Sequence, residues 1–349
     1  MRWNPHGGDI YSQTYDYDFS VNVNPLGAPD CVRQAVIDSV QSIEEYPDSG
    51  CRRLLSAVSQ KEQIPEEEII FGNGAAELIY ALVRALRPRK ALLCAPSFAE
   101  YESALSSAGC FIRFAPLTEE QGFSLTEDFL SNLTEDLDLV ILCNPNNPTG
   151  IVTERELLLQ IAEECRKKKI FLMLDECFAD LTMEPEKITM KGYLEEFPGM
   201  FLLKAFTKTY AMPGLRLGYG FCGDEQLISR MYQMLPSWNV SIPAQMAGTA
   251  ALLEDAYVEK AREVIAKERP FMKRELEKLG LTVWDSSANF LFFRGPKGLA
   301  DRLKKGKILI RDCSNYPGLC EGYYRIAIRR HRENEILLMA MQQIMQWYD

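Results

Sequence analysis

The stretch "LVILCNPNNPTGIVTERELLLQIAEECRKKKIFLMLDE", residues 139–176, joins two apolar runs of strand length through a turn and a segment whose apolar residues recur at helical spacing. A strand, a covering helix and a second strand in that order form a crossover unit, which places both strands in a parallel sheet with helices on its faces. The helical segment opens on Thr153 with Glu156 three residues on, the pattern of a capping box. Working outward, strand-length runs recur at "IIFG" (69–72), "ALLCAP" (91–96), "MFLLKAF" (200–206) and "LGYGFC" (217–222), and "AAELIYALVRALRP" (75–88) is again helical in pattern. The expected fold class is therefore α/β, with a large doubly wound, mostly parallel sheet domain over residues 31–235. After it come a long helical stretch (about 244–279), short strands in "LTVWD", "ANFLFFRG", "ILIRDC" and "YYRIAIR", and a last helix in "ENEILLMAMQQIMQWY". These predict a smaller α+β domain over 236–349, joined by an N-terminal arm of residues 1–30.

Composition narrows the chemistry. A net charge of -10 over 349 residues argues against a nucleic-acid partner, which is usually met by a basic face. No apolar run approaches the length of a membrane span, and the first residues lack the apolar stretch of a signal peptide, so a cytoplasmic protein is expected. The ten cysteines contain no CxxC and sit inside apolar patterns, as reduced core residues do. With two histidines, His6 and His331, a histidine metal centre or a Ser-His-Asp triad has little material, and no metal is expected. Hard chemistry would then come from a lysine or a cofactor.

In an open parallel sheet ligands bind beyond the carboxyl ends of the strands. The residues there form a set. "GNGAAE" after the first run offers the backbone N–H groups of Gly74, Ala75 and Ala76 at a helix start, either a phosphate cradle or a plain tight turn. Phe98 offers a flat face, or fills the core. "NPNNPTG" is rich in turn residues, with Asn147 the candidate donor to a ligand oxygen. Asp175 ends a buried strand, where a carboxylate needs a cationic or donor partner. In "FTKTYAMPGLRLGYG" (206–220), Lys208 and Arg216 stand eight residues apart in an otherwise apolar run. A desolvated lysine is a nucleophile toward an aldehyde, and arginine has the fork geometry for phosphate. An aromatic aldehyde with a phosphate arm satisfies the whole set, and pyridoxal 5'-phosphate is that molecule.

Taken together, "GNGAAE", "NPNNPTG", "LDE" and "FTKTYAMPGLRLGYG" resemble the cofactor signatures of fold type I pyridoxal-phosphate-dependent transferases, in the class II aminotransferase branch that contains histidinol-phosphate aminotransferase. The resemblance implies that Lys208 holds the cofactor covalently and Asp175 pairs with its ring nitrogen. Asn147 would reach the ring oxygen, Phe98 would stack on the ring, and Gly74, Ala75, Ala76, Thr207 and Arg216 would hold the phosphate. Tyr46, in "EYPDSG", matches a tyrosine that reaches the phosphate of the neighbouring subunit, which implies a homodimer, and Arg325 matches the arginine that binds the substrate carboxylate. Lys204 and Ala205 stand where relatives often have Arg and Ser, which would loosen the phosphate cup.

Within that branch "HGGD" (6–9), "DFSVNVNPLGAP" (18–29), "TKTYAMPGLRLGY" (207–219) and "ILIRDCSNYPGLCEGYYRIAIRRHREN" (308–334) are similar to the threonine-phosphate decarboxylases of cobalamin synthesis. Phe178 also lacks the hydroxyl that aminotransferases usually carry three residues after the aspartate. The resemblance thus implies decarboxylation of a phosphorylated amino acid, L-threonine O-3-phosphate to (R)-1-amino-2-propanol phosphate, with His6, Asn24 and Arg311 as further substrate contacts. The alternative is an aminotransferase of histidinol-phosphate type. A plain N-terminal turn is the competing role for His6.

Overall fold

The computed structural model describes residues 6–346. Seven strands form the large sheet: β2 (Ile69–Asn73), β3 (Lys90–Ala95), β4 (Phe111–Pro116), β5 (Leu139–Cys143), β6 (Phe171–Asp175), β7 (Met200–Ala205) and β8 (Leu217–Cys222), while β1 (Tyr17–Asp18) lies in the N-terminal arm. Their order across the sheet is β2-β8-β7-β6-β5-β3-β4. All neighbouring pairs are parallel except those of β8, which runs antiparallel to both β2 and β7. The central strands are buried on both faces, each face carrying its own apolar cluster under helices. That is why they read as continuous apolar runs rather than as alternation.

Three local expectations change. Strand β4 was not signalled, because it is the sheet edge: Phe111 is 65% exposed and Phe114 38%, so the segment has no continuous apolar run. Thr153 does not cap a helix. The helix runs Arg155–Lys168 with no side-chain cap, and the Thr153 backbone is pinned at both its N–H and its carbonyl by the Asn144 amide, at 2.8 and 3.2 Å. That pairing holds Thr153 in the turn, one residue before the N-cap position, which Glu154 occupies. The long helical stretch is two helices, Ile242–Ala251 and Asp255–Lys278, the second continuing through Pro270. The first packs its small residues Ala244, Ala247 and Ala251 into the apolar cluster of the large sheet.

The smaller sheet has the order β12-β13-β10-β9, with β9 (Thr282–Val283), β10 (Phe290–Arg294), β12 (Arg311–Asp312) and β13 (Tyr323–Ala327) all antiparallel. It packs with the helices Asp255–Lys278 and His331–Met345 around Phe19, Leu291, Phe293, Tyr324 and Leu337. Strand β1 pairs in parallel with β11 (Ile308–Leu309), and Phe19 then exchanges backbone hydrogen bonds with Leu309 and Ala327. The N-terminal arm is thereby built into the smaller sheet's side of the molecule. Among the described residues no helix is long and apolar enough to cross a membrane.

Candidate active site

The N-terminal arm is bonded on one side to the lysine turn after β7, through Asn24, and on the other to β13, through Ser20. Lys208 sits in the one-turn helix Phe206–Thr209 that follows β7, with its carbonyl accepting from the Asn24 N–H at 3.0 Å. Its side chain is half-buried and its amine lies 5.3 Å over the Phe178 ring. Burial, reinforced by the nearby charge of Arg325, pushes the amine down from 10.5 to about 8. A lysine with this shift is about one-tenth neutral at pH 7, far more than an unshifted amine, and the neutral form is the nucleophile.

Asp175, at the last position of β6, accepts from the Tyr101 hydroxyl at 2.6 Å and from the Cys177 N–H at 2.9 Å. Both donors are buried protein groups, so the carboxylate is held rigidly at the strand end. The three asparagines of the turn divide their work. Asn144 pins Thr153, and Asn146 bonds to Pro96 O and Thr149 Oγ1 at 3.1 and 3.0 Å, which leaves Asn147 to face the site. The Asn147 side-chain oxygen accepts from Arg325 Nη1.

Arg325 is buried on β13 and also donates Nη2 to Ser20 O at 2.8 Å, while its Nε has no hydrogen-bond partner among the described residues. It stands in register with Arg311 of β12. Arg311 is buried, donates Nη2 to Asn315 Oδ1 at 2.6 Å and lies 5.2 Å over the Tyr316 ring. Burial, opposed in part by Tyr316 and Cys313 and added to by Arg311, pulls the Arg325 guanidinium below its ordinary value. Two neighbouring buried cations of this kind are built for anions.

At the far end, Gly74 precedes the helix Ala75–Leu86 with φ of +79° and no side-chain cap, so the first N–H groups of that helix are not claimed by a side chain. The approach is close enough that a Cβ on Gly74 would meet Arg216 Nη2 at 2.3 Å, and one on Gly218 would meet the Ala75 nitrogen at 2.3 Å. A helix start and a guanidinium brought together over glycine offer the donors that a phosphate group can use. Thr207 is buried at the same strand end, one residue before Lys208. Arg216 itself is exposed: the Pro213–Leu215 turn lifts it out of the apolar run to a left-handed φ of +57°.

Phe98 stands at the start of the helix Ala99–Ser107, edge-on to Tyr101 at 5.6 Å and 5.3 Å from the His6 ring. His6 is hydrogen-bonded to Glu100 at 2.6 Å.

Two expectations are corrected. Asn24 does not point to a substrate: its amide donates to Thr209 O at 2.8 Å and accepts from Leu26 N–H at 2.9 Å. An Asn before a Pro closes an Asx turn, and that turn seats the arm on the lysine helix. Lys204 does not belong to the phosphate cup either. It is buried on the other side of β7, bonded to Asp180 at 2.7 Å and within 3.4 Å of Glu62, which also accepts from Tyr219 and Lys191. Tyr46 is 78% exposed against Trp238, at 4.6 Å between rings, and lines a surface groove of 870 Å³, so the fold does not bring it to this chain's own lysine.

The sequence reading missed Asn22, Tyr101 and Ser20. Asn22 is buried in the arm between Ser20, which holds Arg325, and Asn24, which holds the lysine helix. Neither polar atom of its amide has a partner among the described residues. Such a group costs about 1–3 kcal/mol when buried, so a polar ligand belongs beside it. The available signal was "NVN", in which only the second Asn precedes a Pro and is claimed by a turn.

The lysine, the rigid carboxylate, the cradle at Gly74 and the orphaned Asn22 and Arg325 atoms fit pyridoxal 5'-phosphate with an amino-acid substrate. Residues 16–341 match the family described as aminotransferase class I and II, and the chain belongs to that family. It is 40% identical to the threonine-phosphate decarboxylase of Salmonella typhimurium, over 97% of this chain and 96% of that protein. It is 31% identical to the adenosylcobalamin biosynthesis bifunctional protein CobDQ of Leptospira interrogans, over 94% of this chain and 38% of that one. Among solved structures, the histidinol-phosphate aminotransferase from Clostridium acetobutylicum superposes with a TM-score of 0.88 at 30% identity, covering 95% of this chain and 99% of that one.

Proposed function

We propose that the protein is a pyridoxal-phosphate-dependent carboxy-lyase that converts L-threonine O-3-phosphate to (R)-1-amino-2-propanol phosphate, serving cobalamin synthesis. The observation that carries this reading is the register of Arg311 and Arg325, two buried guanidiniums side by side, with Arg325 close enough to Lys208 for its charge to act on the amine. They suit a substrate with two anionic ends, a carboxylate and a phosphate. The 40% identity to a threonine-phosphate decarboxylase supports the same substrate.

When bound, the cofactor takes up the substrate amine through its aldehyde and accepts the electron pair of the bond that breaks at Cα. Asp175, fixed by Tyr101 and Cys177, keeps a proton on the ring nitrogen and so keeps that sink charged. Ala75, Ala76, Thr207 and Arg216 anchor the cofactor phosphate, and Phe98 covers the ring. Arg325 holds the substrate carboxylate with Asn147 beside it, setting which Cα bond stands perpendicular to the ring. As the Cα–carboxylate bond breaks, carbon dioxide leaves and Lys208 returns a proton to Cα, a transfer suited to an amine near 8. Arg311 and His6 serve the phosphate end of the substrate.

We further take the enzyme to be a cytoplasmic homodimer in which Tyr46 reaches the neighbouring cofactor phosphate. Ile37, Val40, Ile43, Tyr46 and Leu253 are all more than half exposed, an apolar strip that a second copy would cover.

Carbon dioxide release from L-threonine O-3-phosphate, with no 2-oxo acid added, tests the reading. No release at saturating substrate would overturn it. The similarity to the Clostridium acetobutylicum aminotransferase favours the second reading, transamination, which stoichiometric conversion of 2-oxoglutarate to glutamate would establish.

A further inference from the structure

The segment His6–Gly8 bridges the mouth of the site. On one side the His6 imidazole bonds to Glu100 at 2.6 Å and packs on Phe98 at 5.3 Å, both on the first turn of the helix Ala99–Ser107. On the other side the Gly8 N–H donates to Ser20 Oγ at 2.8 Å, and the Ser20 carbonyl accepts from Arg325. Glycine is required there: a Cβ on Gly7 would meet Ser20 O at 2.6 Å, and Gly8 has φ of +82° with its Cβ position 2.9 Å from Val21. The turn is therefore seated against the arm, and the imidazole it presents is fixed by one carboxylate.

Resting on the reading of a phosphorylated substrate, we propose that Glu100 is a positioning residue for specificity: it holds His6 over Phe98, and through His6 it sets the preference for a ligand carrying a phosphate. Glu100 is half-buried and shared with the Tyr80 hydroxyl. The His6 hydrogen bond is the largest influence on its carboxyl and holds it below the ordinary range. A carboxylate committed in this way limits where the imidazole can go, and an ordered side chain binds a ligand without the entropy cost of fixing a free one.

The test is a visible-absorbance titration of the holoenzyme with 1-amino-2-propanol phosphate and with 1-amino-2-propanol, neither of which has a carboxylate to lose. The ratio of the two dissociation constants reports the phosphate contribution. In Glu100→Gln this ratio falls about tenfold, the size of one charged hydrogen bond. His6→Asn produces a similar fall, and the double variant falls no further than either single one, because Glu100 acts through His6. A purely structural role for Glu100 would weaken both ligands together and leave the ratio intact. A large wild-type ratio untouched by Glu100→Gln, or additive losses in the double variant, would overturn the inference alone. A wild-type ratio near one would overturn the phosphorylated-substrate reading with it.

Discussion

The hydroxyl of Tyr101 lies 2.6 Å from Asp175 Oδ2, with the tyrosine fully buried behind the strand end that carries the aspartate. Burial, and then the Asp175 charge, push the Tyr101 hydroxyl well above its ordinary value, so it stays a donor across the working pH range. The carboxylate proposed to face the ring nitrogen is thus aimed by a buried, neutral donor.

Removing that donor has a measurable consequence. Tyr101→Phe leaves the ring packing but strips a buried carboxylate of one partner, which costs about 1–3 kcal/mol. The expected outcome is a lower melting temperature and a weaker dissociation constant for pyridoxal phosphate. If neither moves, the contact does not position Asp175.

A pH window follows from Lys208. Its amine titrates at about 8 in the folded chain and near 10.5 when unfolded, so between those values the unfolded chain binds a proton that the folded chain lacks. Stability of the cofactor-free protein therefore rises with pH through that window. Below about 8 the charged amine is a constant penalty. Cofactor-free Lys208→Met should be the more stable protein at pH 7, with its advantage shrinking as pH approaches 10.5 in thermal melts. The wild-type rate of cofactor uptake should rise with a midpoint near 8, and a midpoint near 10.5 would contradict the desolvated site.

The sheet and the residues proposed for the cofactor were legible because their physics is local. Strands buried on both faces leave continuous apolar runs, and the chain turns polar at or just beyond the end of each run, as at Asp175, Asn147 and Lys208. What failed depended on partners distant in sequence. Asn22 and Asn24 look alike as letters, and only Thr209, 185 residues from Asn24, separates the turn residue from the orphan. Lys204 bore on the phosphate cup only by resemblance, because relatives often carry Arg there, but its amine is bonded to Asp180 and Glu62, 24 and 142 residues away. Arg216 stands in an otherwise apolar run, and the Pro213–Leu215 turn exposes it.

The cradle makes a sharp prediction at Gly218. A Cβ there would lie 2.3 Å from the Ala75 nitrogen and 2.6 Å from its Cα, backbone atoms that cannot swing aside. Gly218→Ala must displace the start of the helix Ala75–Leu86, at a cost of about 1–3 kcal/mol for overpacking. Retention of pyridoxal phosphate through dialysis should fall along with the melting temperature. Gly192→Ala is the control, since nothing lies within 4 Å of its Cβ position. Equal behaviour of the two variants would mean that the close approach does not shape the cradle.

Tyr46 offers the test of the dimer. It lies on an exposed apolar strip against Trp238, away from its own chain's Lys208, so its proposed role requires a second copy. On that proposal, Lys208→Ala would remove the nucleophile of its own site, and Tyr46→Ala would remove a phosphate contact from the partner's site. Each homodimer then carries the same defect in both sites. In a mixed dimer, one site combines an intact Lys208 with an intact Tyr46 contributed by the other chain, while the second site carries both defects. Mixing the two variants under conditions that exchange subunits should raise activity above the mean of the separate proteins, toward one working site per mixed dimer. A strictly averaged activity after demonstrated exchange would show that Tyr46 does not serve the neighbouring site.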